Sequence, residues 1–196
     1  MNLIKPFLPI GITIIFCSAA FANDSTQPAS CLPEQYLLVN NIHYLGNNNQ
    51  IIKALGKPLS SKIYNYDSGG NSGSYQRIKM SYRGAIFISQ QKRAQQIEHM
   101  EITGKGYRIG PDIYIGISKK QLMRALSISS EQQVMDIEEA KRFYGGKEIK
   151  RSNQRKKSWD LAACSEQYAN VTNIYFYFDQ ADKLIKYKIV YDDSSI

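Results

Sequence analysis

The stretch IYIGISKKQLMRALS, at residues 113–127, shows how this chain is organised. Residues 113–117 are apolar or aromatic apart from a single glycine, and they lead directly to Ser118. Ser118 can then accept a hydrogen bond at the start of a helix while Gln121 reaches back, which is the capping-box pattern. The apolar residues of that helix follow at helical spacing: Leu122, Ala125 and Leu126. The stretch therefore predicts a helix cap and a helix with one apolar side, and it marks the start of a second unit.

An earlier stretch has a similar pattern. IIKALG at residues 51–56 matches LMRALS at residues 122–127, and each precedes a run of strands. A helix over residues 48–55 is predicted to end at Gly56, because glycine followed by Pro58 stops a helix. Alternating apolar residues predict strands at 62–67, 75–82, 85–89, 96–103, 158–163, 171–178 and 184–191. The predicted fold is α+β, with two helix-plus-antiparallel-sheet units in tandem at residues 34–104 and 113–196. Coincidence between two amphipathic helices of similar composition stays open.

The first 22 residues predict an export signal. A cationic start is followed by eleven apolar residues, 6–16, too few to span a bilayer, and then by the small-x-small pattern of residues 20–22. Cys17 follows the bulky Phe16, which argues against lipid attachment. Residues 23–33 form a polar leader. The mature protein is therefore expected to be periplasmic or secreted.

The charge balance and the cysteines fit that location. The chain has 25 basic and 17 acidic residues, and removal of Lys5 with the signal leaves a net charge of +7. Nucleic acid is disfavoured as a partner by the compartment. Cys31 and Cys164 remain after cleavage and predict one disulfide, with two unpaired thiols as the alternative.

Residues 115–122 with Leu126 resemble the "apolar-Gly-apolar-Ser, then helix, then Leu-Gly" signature of two families of small envelope proteins. These are the BamE/SmpA outer-membrane assembly family and the beta-lactamase-inhibitor-protein family. A looser second copy consists of Tyr44, Leu45, Gly46, Ile51, Leu55, Gly56 and Pro58. The resemblance implies helices packed on small antiparallel sheets and a binding role. The chain departs from both families, because it has no acceptable lipidation site and its cysteine pair spans the two units.

No motif predicts catalysis. The two histidines, His43 and His99, do not have metal-ligand spacing, and no nucleophile elbow, CxxC motif or Walker loop occurs. The sequence therefore predicts a protein that is not an enzyme and that has no cofactor and no metal site.

Two features indicate a protein-binding surface. The first is a basic run at residues 147–157, which predicts electrostatic attraction toward a protein with an acidic surface. Its predicted partner-binding cations are Lys150, Arg151, Arg155 and Lys156. The second is aromatic: Tyr175 and Tyr177 share one side of a strand, and Trp159 is a candidate anchor for the same surface. The alternatives are a solvated basic loop, ordinary strand propensity of tyrosine, and core packing of Trp159.

These observations lead to one functional hypothesis and two alternatives. The chain is predicted to be a non-catalytic binding module, acting as an inhibitor or immunity protein that occludes an envelope enzyme or toxin. The first alternative is an accessory factor of an outer-membrane assembly complex, and the second is an enzyme of unrecognised type. An anionic membrane surface stays open as an additional partner.

Overall fold

The computed structural model describes residues 31–67, 74–91, 95–130, 134, 157–164 and 172–191. The predicted signal peptide and residues 23–30 of the leader lie outside this part of the chain. The elements, in chain order, are β1 (Cys31–Leu32), a 3-10 turn (Glu34–Leu37), β2 (Leu38–Val39), β3 (Ile42–His43), α1 (Asn48–Leu55), β4 (Ser60–Asp67), β5 (Ser74–Tyr82), β6 (Ala85–Gln90), β7 (Ile97–Ile102), β8 (Arg108–Ile109), β9 (Ile113–Tyr114), α2 (Lys119–Ala125), β10 (Ser158–Ala163), β11 (Thr172–Phe178) and β12 (Leu184–Tyr191).

Eight of the described strands form one continuous sheet, in the order β1-β10-β11-β12-β7-β6-β5-β4. All neighbours are antiparallel except β1 and β10, which run parallel. The two halves of the chain meet in the middle of the sheet, where β12 pairs with β7 and Ile189 lies opposite Met100.

The predicted fold of two helix-plus-antiparallel-sheet units in tandem is wrong. Strands of the two predicted units hydrogen-bond to each other through β7 and β12, so they belong to one mixed sheet. The described chain is mostly strand, with two short helices. Helix α1 and the seven predicted strands are confirmed, because they occur within two residues of their expected bounds.

A second, smaller sheet has the order β3-β2-β8-β9. Val39 of β2 lies opposite both Ile42 of β3 and Ile109 of β8, so β2 and β8 join residues from the two halves of the chain. Residues 105–112, between the two predicted units, thus contribute a strand to this sheet.

The two helices begin in the same way. Asn47 caps α1 together with Gln50, and Ser118 caps α2 together with Gln121, as the sequence predicted for the second pair. Each capping residue also forms a single bridge to the residue just before a strand of the large sheet, Asn47 with Gln96 before β7 and Ser118 with Lys183 before β12. The similarity is local to these helix starts.

The start of α2 is held to the turn between β11 and β12. The backbone N–H of Lys119 donates to the carbonyl oxygen of Asp182 at 2.8 Å. The Lys119 side chain is buried, and its Nζ lies 3.4 Å from Asp182 Oδ1 and 4.8 Å from the centroid of the Phe178 ring. A buried ammonium needs such a partner because it has lost its hydration.

The core lies on one side of the large sheet, where its inward side chains pack with those of the small sheet and the helices in a single cluster. Tyr36 connects the two layers. Its carbonyl oxygen accepts a hydrogen bond from the buried Tyr187 hydroxyl at 2.7 Å, and its own hydroxyl donates to the carbonyl oxygen of Ala125 at 2.8 Å.

The predicted disulfide between Cys31 and Cys164 is confirmed. It joins β1 to the end of β10, next to a hydrogen bond from the Cys164 N–H to the carbonyl oxygen of Leu32 at 2.8 Å. The bond agrees with an oxidising compartment outside the cytoplasm, as export requires.

Candidate protein-binding face

The outer side of the large sheet, opposite the core, presents two neighbouring rows of tyrosine and lysine. Along β11, buried residues alternate with half-buried ones, and this alternation places Tyr175 and Tyr177 on the outer side. Tyr177 lies directly opposite Lys186 of β12, and Tyr175 lies opposite Lys188. We call the surface formed by these four residues and Asp160 of β10, which lies opposite Tyr175, the Tyr–Lys face.

The side chains of the Tyr–Lys face contact each other in pairs. Lys186 Nζ lies 4.2 Å from the centroid of the Tyr177 ring, and Lys188 Nζ lies 5.7 Å from that of Tyr175. Both distances are within the range of cation–π attraction. The two tyrosine rings are 6.4 Å apart and tilted by 45°. These contacts hold the rings and the ammonium groups together on the outer side of the sheet.

Burial changes the acid–base properties of this face. Desolvation raises the pKa of Asp160 to about 6, so its carboxyl group titrates near neutral pH. Desolvation also lowers the pKa of Lys188, while Glu101, opposite it on β7, raises it and Lys186 lowers it further.

His99 lies beside this face, opposite Val190 of β12. Burial is the largest cause that lowers the pKa of His99 to about 4, and nearby cations lower it further. The cations are Lys188, Arg77, Lys79 and Lys186. The imidazole is therefore neutral at neutral pH. The other histidine, His43, lies in the small sheet, so the structure does not bring the two together.

A separate cluster surrounds Arg77 nearer the β4 end of the outer side. Arg77 Nε donates to Glu98 Oε2 at 3.0 Å, and Arg77 Nη2 donates to the Tyr75 hydroxyl at 2.6 Å. The guanidinium carbon lies 3.3 Å from the centroid of the Tyr66 ring. The Arg77 guanidinium thus contacts side chains of β4, β5 and β7, and these contacts connect the three strands.

The structure separates the predicted partner-binding residues. Tyr175 and Tyr177 lie on the outer side, as expected. Trp159 does not, because its side chain is fully buried and packs edge-on against Phe178 at 4.9 Å between centroids. Trp159 is therefore a core residue, and its assignment to the binding surface is wrong. The predicted cations Lys150, Arg151, Arg155 and Lys156 lie outside the described residues.

The end of the basic run is nevertheless described. Lys157 is exposed, and its carbonyl oxygen accepts a hydrogen bond from the N–H of Phe178 at 2.8 Å. The next residue, Ser158, lies opposite Tyr177. The basic run therefore enters the sheet next to the Tyr–Lys face.

Lys186 and Lys188 were not among the residues predicted to bind a partner. The signal that could have found them is the alternation along β12, in which the two lysines flank the buried Tyr187. A hairpin with β11 then places them on the same side as Tyr175 and Tyr177.

Other features of the described residues are modest. A surface cavity of about 550 Å³ is lined by Gln35, Leu38, Asn40, Asn41, Arg108, Gly110 and Pro111. Within the described ranges, no three side chains of the metal-binding types are grouped so as to hold a metal ion. Neither described helix is long and apolar enough to cross a membrane.

No protein-family model and no curated protein matches the chain. Two solved structures are similar at 13% identity. One is an extracellular protein containing an SCP domain from Bacillus anthracis, with a TM-score of 0.41 over 76% of this chain and 44% of that one. The other is a cysteine-rich secretory protein from Staphylococcus aureus, with a TM-score of 0.40 over 75% and 42%. The chain spans less than half the length of either protein, and a likeness at this level assigns neither a family nor an activity.

The resemblance to the BamE/SmpA and beta-lactamase-inhibitor-protein families is wrong. The resemblance implied separate helix-plus-sheet units, whereas the strands of the two predicted units form one continuous sheet.

Proposed function

We propose that this chain is an exported, non-catalytic protein-binding module that acts as an inhibitor or immunity protein, covering an envelope enzyme or toxin. The observation that supports the proposal is the Tyr–Lys face, in which two tyrosines lie opposite two lysines on neighbouring strands. The partner is a protein with an acidic surface.

The tyrosines supply contact area at a low entropic cost. A tyrosine has few rotatable bonds, a large apolar ring and a polar tip, and it is enriched among the residues that dominate binding energies. Tyr175 and Tyr177 are already restrained by Lys188 and Lys186, so less side-chain freedom is lost on binding. The strand that carries them is fixed from below by Phe176 and Phe178 in the core.

The charges of the face favour an acidic partner. Lys186 and Lys188 contribute two cations, and Lys157 places the end of the basic run at the border of the face. Asp160 has a raised pKa and is only partly ionised near pH 6. A basic surface accelerates encounter with an acidic one, and this acceleration falls as the salt concentration rises.

The experiment is an affinity capture from envelope extract with the mature protein, followed by an activity assay of each captured enzyme or toxin. Equimolar protein should suppress the activity of the true partner. The double variant Tyr175→Ala/Tyr177→Ala should weaken binding by at least about 30-fold, because truncation of a hot-spot tyrosine costs about 2 kcal/mol or more.

Charge-reversal variants test whether the positive charges accelerate association with the acidic partner. Lys186→Glu/Lys188→Glu should slow association by about tenfold at low salt, and a change of Lys150, Arg151, Arg155 and Lys156 to Glu should act in the same direction. Lys120→Glu, at an exposed lysine of α2, is the matched control and should leave the rate unchanged. Unaltered binding by the tyrosine variant would refute the assignment of the face, and a captured partner that stays fully active would refute inhibition.

A further inference from the structure

In the part of the chain that the structure describes, the large sheet ends at β4 in an open edge. β4 pairs with β5 over eight residue pairs without a register shift, from Ser60 opposite Ser81 to Asp67 opposite Ser74. Among the described strands, none pairs with its outer edge. Alternate residues of such an edge direct their backbone N–H and C=O groups away from the sheet, where another strand can pair with them.

β4 has few of the features that normally prevent an edge strand from pairing with another chain. Native edge strands are short, contain proline or bulges, or carry several charged side chains. β4 is eight residues long, Pro58 precedes it, and Lys62 is its only basic residue. The opposite edge of the sheet, by contrast, is the two-residue β1.

Two apolar side chains are exposed along this edge. Leu59 and Ile63 are 76% and 58% exposed and are the most exposed large apolar residues of the described chain. They are four residues apart along an extended segment, so they lie on the same side of it. Association at this edge would remove apolar area from water, which favours pairing.

We propose that the chain forms a two-fold symmetric homodimer in which β4 pairs antiparallel with β4 of a second copy, centred on Ile63. In this register Ile63 lies opposite Ile63 of the second copy, and each Lys62 lies opposite Tyr64 of the other. Ser60 then lies opposite Tyr66, so the ladder spans most of the strand. Closed two-fold dimers are the commonest assemblies of identical chains.

The cross-strand pairs of this register already occur elsewhere in the sheet. β11 and β12 place Tyr177 opposite Lys186 and Tyr175 opposite Lys188, with the ammonium groups near the rings. The pairing of Lys62 with Tyr64 repeats that chemistry twice across the dimer axis.

A second copy fits the edge better than the chain's own leader. The leader joins β1, at the far side of eight strands, about 33 Å from β4 at the usual strand spacing. Residues 23–30, fully extended, span about 27 Å. They are too short to cover the edge.

Sedimentation of the mature protein at concentrations up to about 200 μM should show a reversible monomer–dimer equilibrium. Ile63→Lys should raise the dimer dissociation constant at least about tenfold, because it places like charges opposite each other at the axis. Ile185→Lys is the matched control: this isoleucine is 47% exposed but lies on β12, so the equilibrium should stay unchanged.

Cross-linking tests the register separately. Both cysteines that remain after signal cleavage are used in the native disulfide, so an added cysteine is the only free thiol. Ile63→Cys should form an intermolecular disulfide under mild oxidation, whereas Ser61→Cys should not. A monomer at all concentrations, a dimer that persists in folded Ile63→Lys, or cross-linking through Ser61→Cys would each overturn the proposal. β4 is several strands away from the Tyr–Lys face, so these results are independent of partner binding.

Discussion

Replacement of His99 by glutamine should change how the stability of the protein depends on pH. The pKa of His99 is lowered to about 4 in the folded protein, first by burial and then by the surrounding cations. An unfolded histidine has a pKa of about 6.5. Between these two values the unfolded state binds a proton that the folded state does not bind. The contribution of His99 to stability is therefore complete above about pH 6.5 and is lost as the pH falls toward 4.

The size of the effect follows from the two pKa values. At pH 5, proton binding by the unfolded state lowers the free energy of unfolding by about 2 kcal/mol relative to pH 7.5. His99→Gln cannot take up this proton. The variant should therefore gain about 2 kcal/mol relative to the wild type when the pH is lowered from about 7.5 to 5, whatever its stability at pH 7.5.

The single tryptophan, Trp159, makes the measurement direct because it is fully buried and reports loss of the core by fluorescence. Urea unfolding at the two pH values should show the midpoint difference between variant and wild type changing by about 1 M. His43→Gln serves as the control for loss of an imidazole as such. A difference between His99→Gln and the wild type that is the same at both pH values would refute the reasoning.

Three further changes test other parts of the structure. Reduction of the Cys31–Cys164 disulfide should lower the free energy of unfolding by up to about 5 kcal/mol, because the bond closes a long loop, and urea midpoints with and without reductant measure it. Asp160→Asn should raise the free energy of unfolding by about 1 kcal/mol at pH 7.5, because burial raises the pKa of Asp160 and so disfavours its ionised form in the folded protein. This gain should vanish below about pH 4, where the carboxyl group is protonated in both states. A gain that does not depend on pH would contradict the reasoning. Tyr187→Phe should cost about 1–2 kcal/mol by thermal unfolding because it leaves the carbonyl oxygen of Tyr36 without its buried donor, and an unchanged midpoint would contradict this role.

Local patterns predicted the elements of this fold well. The predicted strands 158–163 and 184–191 coincide with β10 and β12, and the predicted helix 48–55 coincides with α1. Alternation with a period of two and capping boxes are local signals that need no knowledge of distant residues. The two-residue strands β2, β3 and β8 were missed because two residues are too short to show a period.

The arrangement of the elements was not predictable in the same way. The pairing of β7 with β12 joins Met100 to Ile189, and neither strand carries a local signal for the other. Similar helix starts therefore suggested two separate units where the strands form one sheet. Trp159 could have been placed correctly, since it alternates with the apolar Leu161 and lies on the side opposite Asp160.

The covalent bond at β1 has a consequence for assembly. An open sheet has two edges, and a molecule with two open edges can add further copies at both ends without limit. In the described part of the chain, one edge of the large sheet is reduced to two residues fastened by the disulfide, and the long edge without a described partner strand is at the other end. The described large sheet therefore offers one long edge for pairing, so the proposed association through β4 stops at two copies and does not continue into a fibre.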